Sequence, residues 1–344
     1  MDSIRNLIAR WQFKQQWDFV EIPGSEEFDA YAEAVFAAAS GDGAIAPQER
    51  SWIIGYFASL GMPEEGIARL KNADPTQMGP AIKRHLHAFL DSPAGPFNRG
   101  LVYDCIRAAG ADADYDSEES VRVHEIADEL GIPDAVTDQI EDICRAEKQM
   151  KADKLHLFYP DGIFYSDPPA PGTPGPASVR DITAAWHFEE EWGFLQVPQG
   201  VEFATYGRAV LAAASADGVL APDEREWIVG YFASIGAPEE LLQYFDSVSP
   251  SDVAPNVDGH LQAFSQTAAG PFNRGLIYDC IRAASADGEL TSAERERYVR
   301  LAGDLGIDDS ITEQIERAYQ AESASKARRL ALFFPEGTPY SVPA

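Results

Sequence analysis

Trp11-Gln12-Phe13 recurs as Trp186-His187-Phe188, an offset of 175 residues. The same offset carries Trp52-Ile53 to Trp227-Ile228 and Gly55-Tyr56-Phe57-Ala58-Ser59 to Gly230-Tyr231-Phe232-Ala233-Ser234. Gly95-Pro96-Phe97-Asn98-Arg99-Gly100 returns as Gly270-Pro271-Phe272-Asn273-Arg274-Gly275. No gap is needed from Trp11 to Tyr165, and about half of the aligned positions are identical. A chain duplicated so completely is expected to build one fold twice. Between the copies lies Ser166-Asp167-Pro168-Pro169-Ala170-Pro171-Gly172-Thr173-Pro174-Gly175-Pro176, too rich in proline for a helix. The expected organisation is therefore a domain at 1–165, a linker at 166–177 and a second domain at 178–344.

Apolar residues recur at helical steps, as in Trp227, Ile228, Tyr231, Phe232 and Ile235. Helix signals frame them. Pro222 suits a first turn, Thr291-Ser292-Ala293-Glu294 reads as a capping box, Asp116 and Glu119 offer the same in the first copy, and Gly236 and Gly306 suit C-caps. No run alternates with a period of two residues, so the fold class is all-α, with seven or eight helices per domain.

A second offset, of 70 residues, runs inside each domain. It relates Asp42 and Glu49 to Asp112 and Glu119, and Asp217 and Glu224 to Asp287 and Glu294. Each domain is thus expected to be a pair of helix-loop-helix halves. The shared string, Asp-Gly-x-(Leu/Ile)-x-x-x-Glu, matches the back half of a calcium-binding EF-hand loop. The front half is missing, because Ala38 and Ser40, or Ala213 and Ser215, stand where its first acids belong. One string has too few oxygens for a divalent cation; two facing strings would pool two Asp and two Glu. The other explanation is structural, since Asp before glycine and Glu at the third helical position both belong to a tight interhelical turn. Asp112-Ala113-Asp114-Tyr115 lacks the glycine, which weakens the first domain's set.

Ile281-Arg282-Ala283-Ala284-Ser285-Ala286-Asp287-Gly288-Glu289-Leu290 with Glu294, and Ala213 to Leu220 with Glu224, resemble the tellurite-resistance TerB-like family. The resemblance implies two tandem TerB-like helical bundles and a divalent metal (Ca, Mg or Mn) held by the acidic residues. On this chain those are Asp217, Glu224, Asp287, Glu294, Asp42, Glu49, Asp112 and Glu119. It also implies a cytoplasmic stress setting with a protein partner.

Composition narrows the alternatives. Lys and Arg number 27 against 56 Asp and Glu, a formal charge of −29. That argues against nucleic acid and against anionic membrane surfaces, and its field gathers cations. No apolar run reaches the ~18–20 residues of a membrane-spanning helix, and Met1-Asp2-Ser3-Ile4-Arg5-Asn6 does not read as a signal peptide. Three cysteines make no disulfide framework, so a reducing, cytoplasmic compartment is expected. Cys105 and Cys280 read as inert buried thiols, and the recurring His85 and His260 as packed helix residues.

Trp11, Trp17, Trp186 and Trp192 are expected to seal each first helix against its core. Asp104 and Asp279 face Arg107 and Arg282 at ion-pair spacing. The competing reading sets Asn273, Arg274 and Asp279 around an anion pocket at a helix start. On that reading the chain is a metal-dependent enzyme acting on a phosphate- or diphosphate-bearing substrate. On the reading carried by the acidic strings it is a non-catalytic protein that binds divalent cations and a protein partner. A purely structural scaffold is the third.

Overall fold

The computed structural model describes residues 3–40, 43–112, 115, 117–168, 175–198, 201–215, 218–253, 257–267 and 270–340. All regular secondary structure among them is helical. The first repeat contains α1 (Ile4–Trp17), α2 (Ser25–Ala39), α3 (Pro47–Ser59), α4 (Glu64–Asn72), α5 (Pro75–Met78), α6 (Ile82–Leu90), α7 (Asn98–Ala109), α8 (Ser117–Glu129) and α9 (Asp134–Phe158). The second contains α10 (Val179–Trp192), α11 (Val201–Ala214), α12 (Pro222–Ser234), α13 (Glu239–Ser247), α14 (Pro250–Val253), α15 (Val257–Ser265), α16 (Asn273–Ala284), α17 (Ser292–Asp304) and α18 (Asp309–Phe333). Every helix of the first repeat ends where its counterpart ends 175 residues later. Nine α-helices per repeat are thus described rather than seven or eight, the short surplus being the four-residue α5 and α14. No described helix is long and apolar enough to cross a membrane.

Local chemistry sets the boundaries. Pro222 opens α12 and Thr291 caps α17, its hydroxyl accepting from the Glu294 N–H at 3.2 Å. At the far end of α12, Gly236 adopts φ +87°, and the Ala237 N–H returns to the Phe232 carbonyl at 2.9 Å. Asp116 lies outside the described residues, so its cap is not seen.

The compact units do not follow the repeats. One unit comprises Met1–Trp11, Met150–Gly175 and His187–Ala324; the other comprises Gln12–Gln149, Pro176–Trp186 and Ser325–Ala344. The contiguous division at 1–165 and 178–344 is therefore corrected. α1, α9, α10 and α18 each give one half to either unit, and 166–177 is divided as well.

In the first unit α11 packs against α15 and α16. Trp11, from the other repeat, covers α12, with its ring 6.3 Å from Trp227 and 5.7 Å from Tyr231. In the second unit α2 packs against α6 and α7, and Trp186 takes the equivalent place beside Trp52 and Tyr56. Both tryptophans lie on a glycine. A Cβ at Gly230 would stand 2.4 Å from Trp11, and one at Gly55 2.4 Å from Trp186. The tryptophans do seal helices, but Trp11 and Trp186 seal helices of the other copy. Both copies carry the same tryptophan and the same glycine, so the contact can be made within a repeat or across repeats. The residue pattern is the same either way.

Candidate metal centre

Glu224 sits at the third position of α12 with only 2 % of its surface exposed, and Glu294 at the third position of α17 with 3 %. Each uses Oε2 for its own helix start. Glu224 accepts from the Ala221 N–H at 2.7 Å, and Glu294 from the Thr291 N–H at 2.7 Å. The capping explanation is thus realised, and it occupies one oxygen of each carboxylate. The Glu224 Oε1 is buried and has no hydrogen-bond partner. An orphaned carboxylate oxygen in the interior carries a desolvation penalty of several kcal/mol unless a proton or cation meets it.

The electrostatics describe the same place. The Glu224 carboxyl is pushed up to about 8, first by burial, against the Ala221 N–H, and then by the negative charges of Glu294 and Asp287. Two acids from the other half of the second repeat therefore lie close enough to act on Glu224. Asp287 is exposed, and its Oδ1 accepts from the Glu289 N–H at 2.9 Å. Gly288 beside it has φ +90° and Gly218 has φ +92°, the left-handed turn that favours glycine at this place in the string. Asp217 lies outside the described residues. Ser215, at a position where an EF-hand carries an acid, instead returns its hydroxyl to the Leu211 carbonyl at 2.7 Å.

In the first repeat, Glu49 is buried and accepts from the Ala46 N–H at 2.6 Å, the counterpart of Glu224. Glu119 is half-buried in the first turn of α8. Asp112 is exposed at the end of a 3-10 turn, Gly110–Asp112, which packs against α3. Asp42 and Ala113 lie outside the described residues.

The anion-pocket reading of Asn273, Arg274 and Asp279 is corrected by what the Arg274 and Asp279 side chains touch. The Arg274 guanidinium donates to the Leu157 carbonyl at 2.5 Å, capping the C-terminal turn of α9, as Arg99 does to Leu332 at 2.5 Å in α18. Asp279 is fully buried. It accepts from the Tyr206 hydroxyl at 2.7 Å and from Tyr231, and pairs with Arg282 at 3.2 Å. Burial pushes its carboxyl up to about 6, against those three partners. It serves as the centre of a buried network rather than as the wall of a pocket.

His85 pairs with Glu33 at 3.2 Å, as a packed helix histidine should; the His260 side chain lies outside the described residues. Burial pushes the Cys105 and Cys280 thiols up, away from nucleophilic character. One cluster escaped the sequence reading, that of His124, Asp138 and Glu141. Its signal was a histidine that does not recur, since the equivalent of His124 is Val299.

No protein-family model matches the chain, and no curated protein matches it. Among solved structures the chain is similar to a tellurite resistance protein from Nostoc punctiforme, at 27 % identity over 48 % of this chain and 99 % of that one. The TM-score is 0.37, a superposition that carries no argument about function.

Proposed function

We propose that this chain is a non-catalytic protein that binds a divalent cation (Ca, Mg or Mn) between Glu224, Glu294 and Asp287, with Asp217 as a fourth ligand. The observation that carries the reading is the buried Glu224 Oε1, which no N–H or hydroxyl donor meets and whose carboxyl has the Glu294 carboxyl beside it, with the charge of Asp287 added. Adjacent buried carboxylates cannot all ionise without a counter-ion. A proton fills that need in the free protein, and an oxygen-seeking cation is the natural replacement. The capping bonds to Ala221 and Thr291 hold both glutamates by one oxygen, which preorganises the other for binding. The surrounding charge of −29 raises the local cation concentration. The likeness of the motif residues to the TerB-like family supports a role in tellurite or metal stress, with a protein partner.

Isothermal titration of the full chain with Ca2+, Mg2+ and Mn2+ tests the reading. Glu224→Gln with Glu294→Gln keeps an oxygen for each cap and removes both charges. Heat of binding in the wild type that disappears in this variant is the expected result. A variant that binds as well as the wild type would remove the proposal, as would a wild type with no heat for any of the three ions.

A further inference from the structure

We infer that the first repeat carries a second cation site of different chemistry, formed by His124, Asp138 and Glu141 and suited to a borderline divalent metal such as Zn2+ or Co2+. It is independent of the oxygen-only site in the second repeat. His124 lies on α8; Asp138 and Glu141 lie three residues apart on α9, one above the other on the same face. One ligand atom from each of the three lies within 4.8 Å of the other two. Ligand atoms about a tetrahedral zinc stand roughly 3.4 Å apart, so small rotamer adjustments close the set.

Two of the three donors are oriented from behind. Asp134 Oδ1, at the start of α9, stands 3.1 Å from the His124 Nδ1; a proton on that nitrogen leaves Nε2 for an ion beside Asp138. Nε2 is 3.6 Å from Asp138 Oδ1. That is too long for a hydrogen bond and close to a ligand-to-ligand spacing. Glu141 Oε1 accepts from the Tyr115 hydroxyl at 2.7 Å and the Ser120 hydroxyl at 2.8 Å, which hold its carboxylate against rotation. The His124 side chain is 26 % exposed and that of Asp138 66 %, so an ion has a path in from solvent.

The duplicated repeat supplies an internal control. At the equivalent positions Ser120 becomes Arg295, His124 becomes Val299, Asp138 becomes Glu313, Glu141 becomes Glu316 and Asp142 becomes Arg317. There Arg295 lies 2.9 Å from Glu316, the Tyr298 hydroxyl donates to Glu316 at 2.9 Å, and Arg317 reaches Glu313 at 3.7 Å. The second repeat thus neutralises its two acids with two guanidinium groups. The first repeat keeps both acids, replaces both arginines with a serine and an aspartate, and places an imidazole between them. A protonated His124 would offset one of the charges on Asp134, Asp138 and Glu141. A divalent ion on neutral His124, Asp138 and Glu141 offsets two of the three and uses the imidazole as a nitrogen ligand.

The test uses Co2+ as a spectroscopic probe on the full chain, with Zn2+ as competitor. His124→Val places in the first repeat the residue already accepted at this position in the second, and circular dichroism checks the fold. The wild type and Glu224→Gln are both expected to give visible Co2+ absorption that Zn2+ displaces. His124→Val is expected to weaken that binding at least tenfold. Co2+ absorption unchanged in His124→Val overturns the inference. So does a wild type with no Co2+ absorption, or a variant that only loses thermal stability, which would mark an ion pair. Loss of Ca2+, Mg2+ or Mn2+ heat confined to Glu224→Gln, with Co2+ binding intact, separates this site from the one in the second repeat.

Discussion

The two compact units are the same fold with differently balanced interiors. In the first, Lys154 reaches Glu191 at 2.8 Å and Glu322 at 2.9 Å, and Arg282 bridges Glu191 at 3.4 Å and Asp279 at 3.2 Å. In the second, the counterpart of Lys154 is Arg329, which meets Glu147 at 2.6 Å and the Tyr103 hydroxyl at 3.0 Å. The counterpart of Glu191 there is Gln16, a neutral residue whose carbonyl accepts from Arg329 at 2.9 Å. Around both, a tyrosine pair holds the central aspartate: Tyr31 and Tyr56 bond Asp104 at 2.8 and 2.7 Å, as Tyr206 bonds Asp279. Burial raises both aspartates, and Glu191 adds to the effect on Asp279. A buried cation and its acids have changed together, so each interior stays paired while the two differ in charge. In both units the cation arrives on a segment from the other repeat, so these networks join the exchanged halves of the chain.

The largest expected effect comes from withdrawing that cation. Lys154→Met takes the shared cation from two half-buried acids, leaving Glu191 to Arg282 and Glu322 to the Tyr278 hydroxyl, a loss of about 3–5 kcal/mol by analogy with other broken buried pairs. Arg329→Met strands only Glu147, which keeps donors from Tyr103 and from Ser325 at 3.2 Å, so the expected loss is roughly half as large. Urea unfolding of the two variants measures both. Equal losses would break the comparison, because they would make the extra acid in the first unit irrelevant.

Where the units are alike, the variants should be alike. Gly55→Ala and Gly230→Ala each set a methyl 2.4 Å from a tryptophan, and the atom nearest is close to the main chain, so the ring cannot swing aside. Overpacking of about 1–3 kcal/mol opposes the ~1 kcal/mol that alanine adds to a helix. A net loss in both, within a few tenths of a kcal/mol of each other, is expected from melting curves. A loss in one unit only would show that the two exchanged tryptophans are not equivalent.

The same pair explains how far the sequence could be read. Helix ends were legible because Pro222, Thr291 with Glu294, and Gly236 each act on their immediate neighbours. The meeting of Glu224, Glu294 and Asp287 was legible because the string recurs inside the repeat. The exchange of segments was not, since Trp11 finds the same surface on α12 that its own α3 would offer. Arg274 was misread because the residues before it suggested an anion, whereas its long side chain reaches the carbonyl end of α9. His124 carries no local motif in the sequence, and its cluster exists through a departure from recurrence, with Val299 at the equivalent position.

The pH dependence of stability best separates two groups. Glu224 titrates near 8 in the folded chain and near 4.3 when unfolded, so the native state holds a proton that the unfolded state has released between those values. Its contribution to stability is full below about 4.3 and is lost as pH rises towards 8. Asp279, at about 6 against about 3.9 unfolded, acts with the same sign in a lower window. Glu224→Gln should therefore remove the decline in stability between about pH 6 and 8 and leave the part due to Asp279 below 6. Urea midpoints at half-unit pH intervals would show it, and a slope above pH 6 that survives the substitution would dissociate Glu224 from the titration. Because a cation must displace that proton, Mn2+ affinity in the wild type should rise up to tenfold per pH unit below 8 and level off above it. A flat profile would mean that the ion and the proton do not share the Glu224 carboxylate.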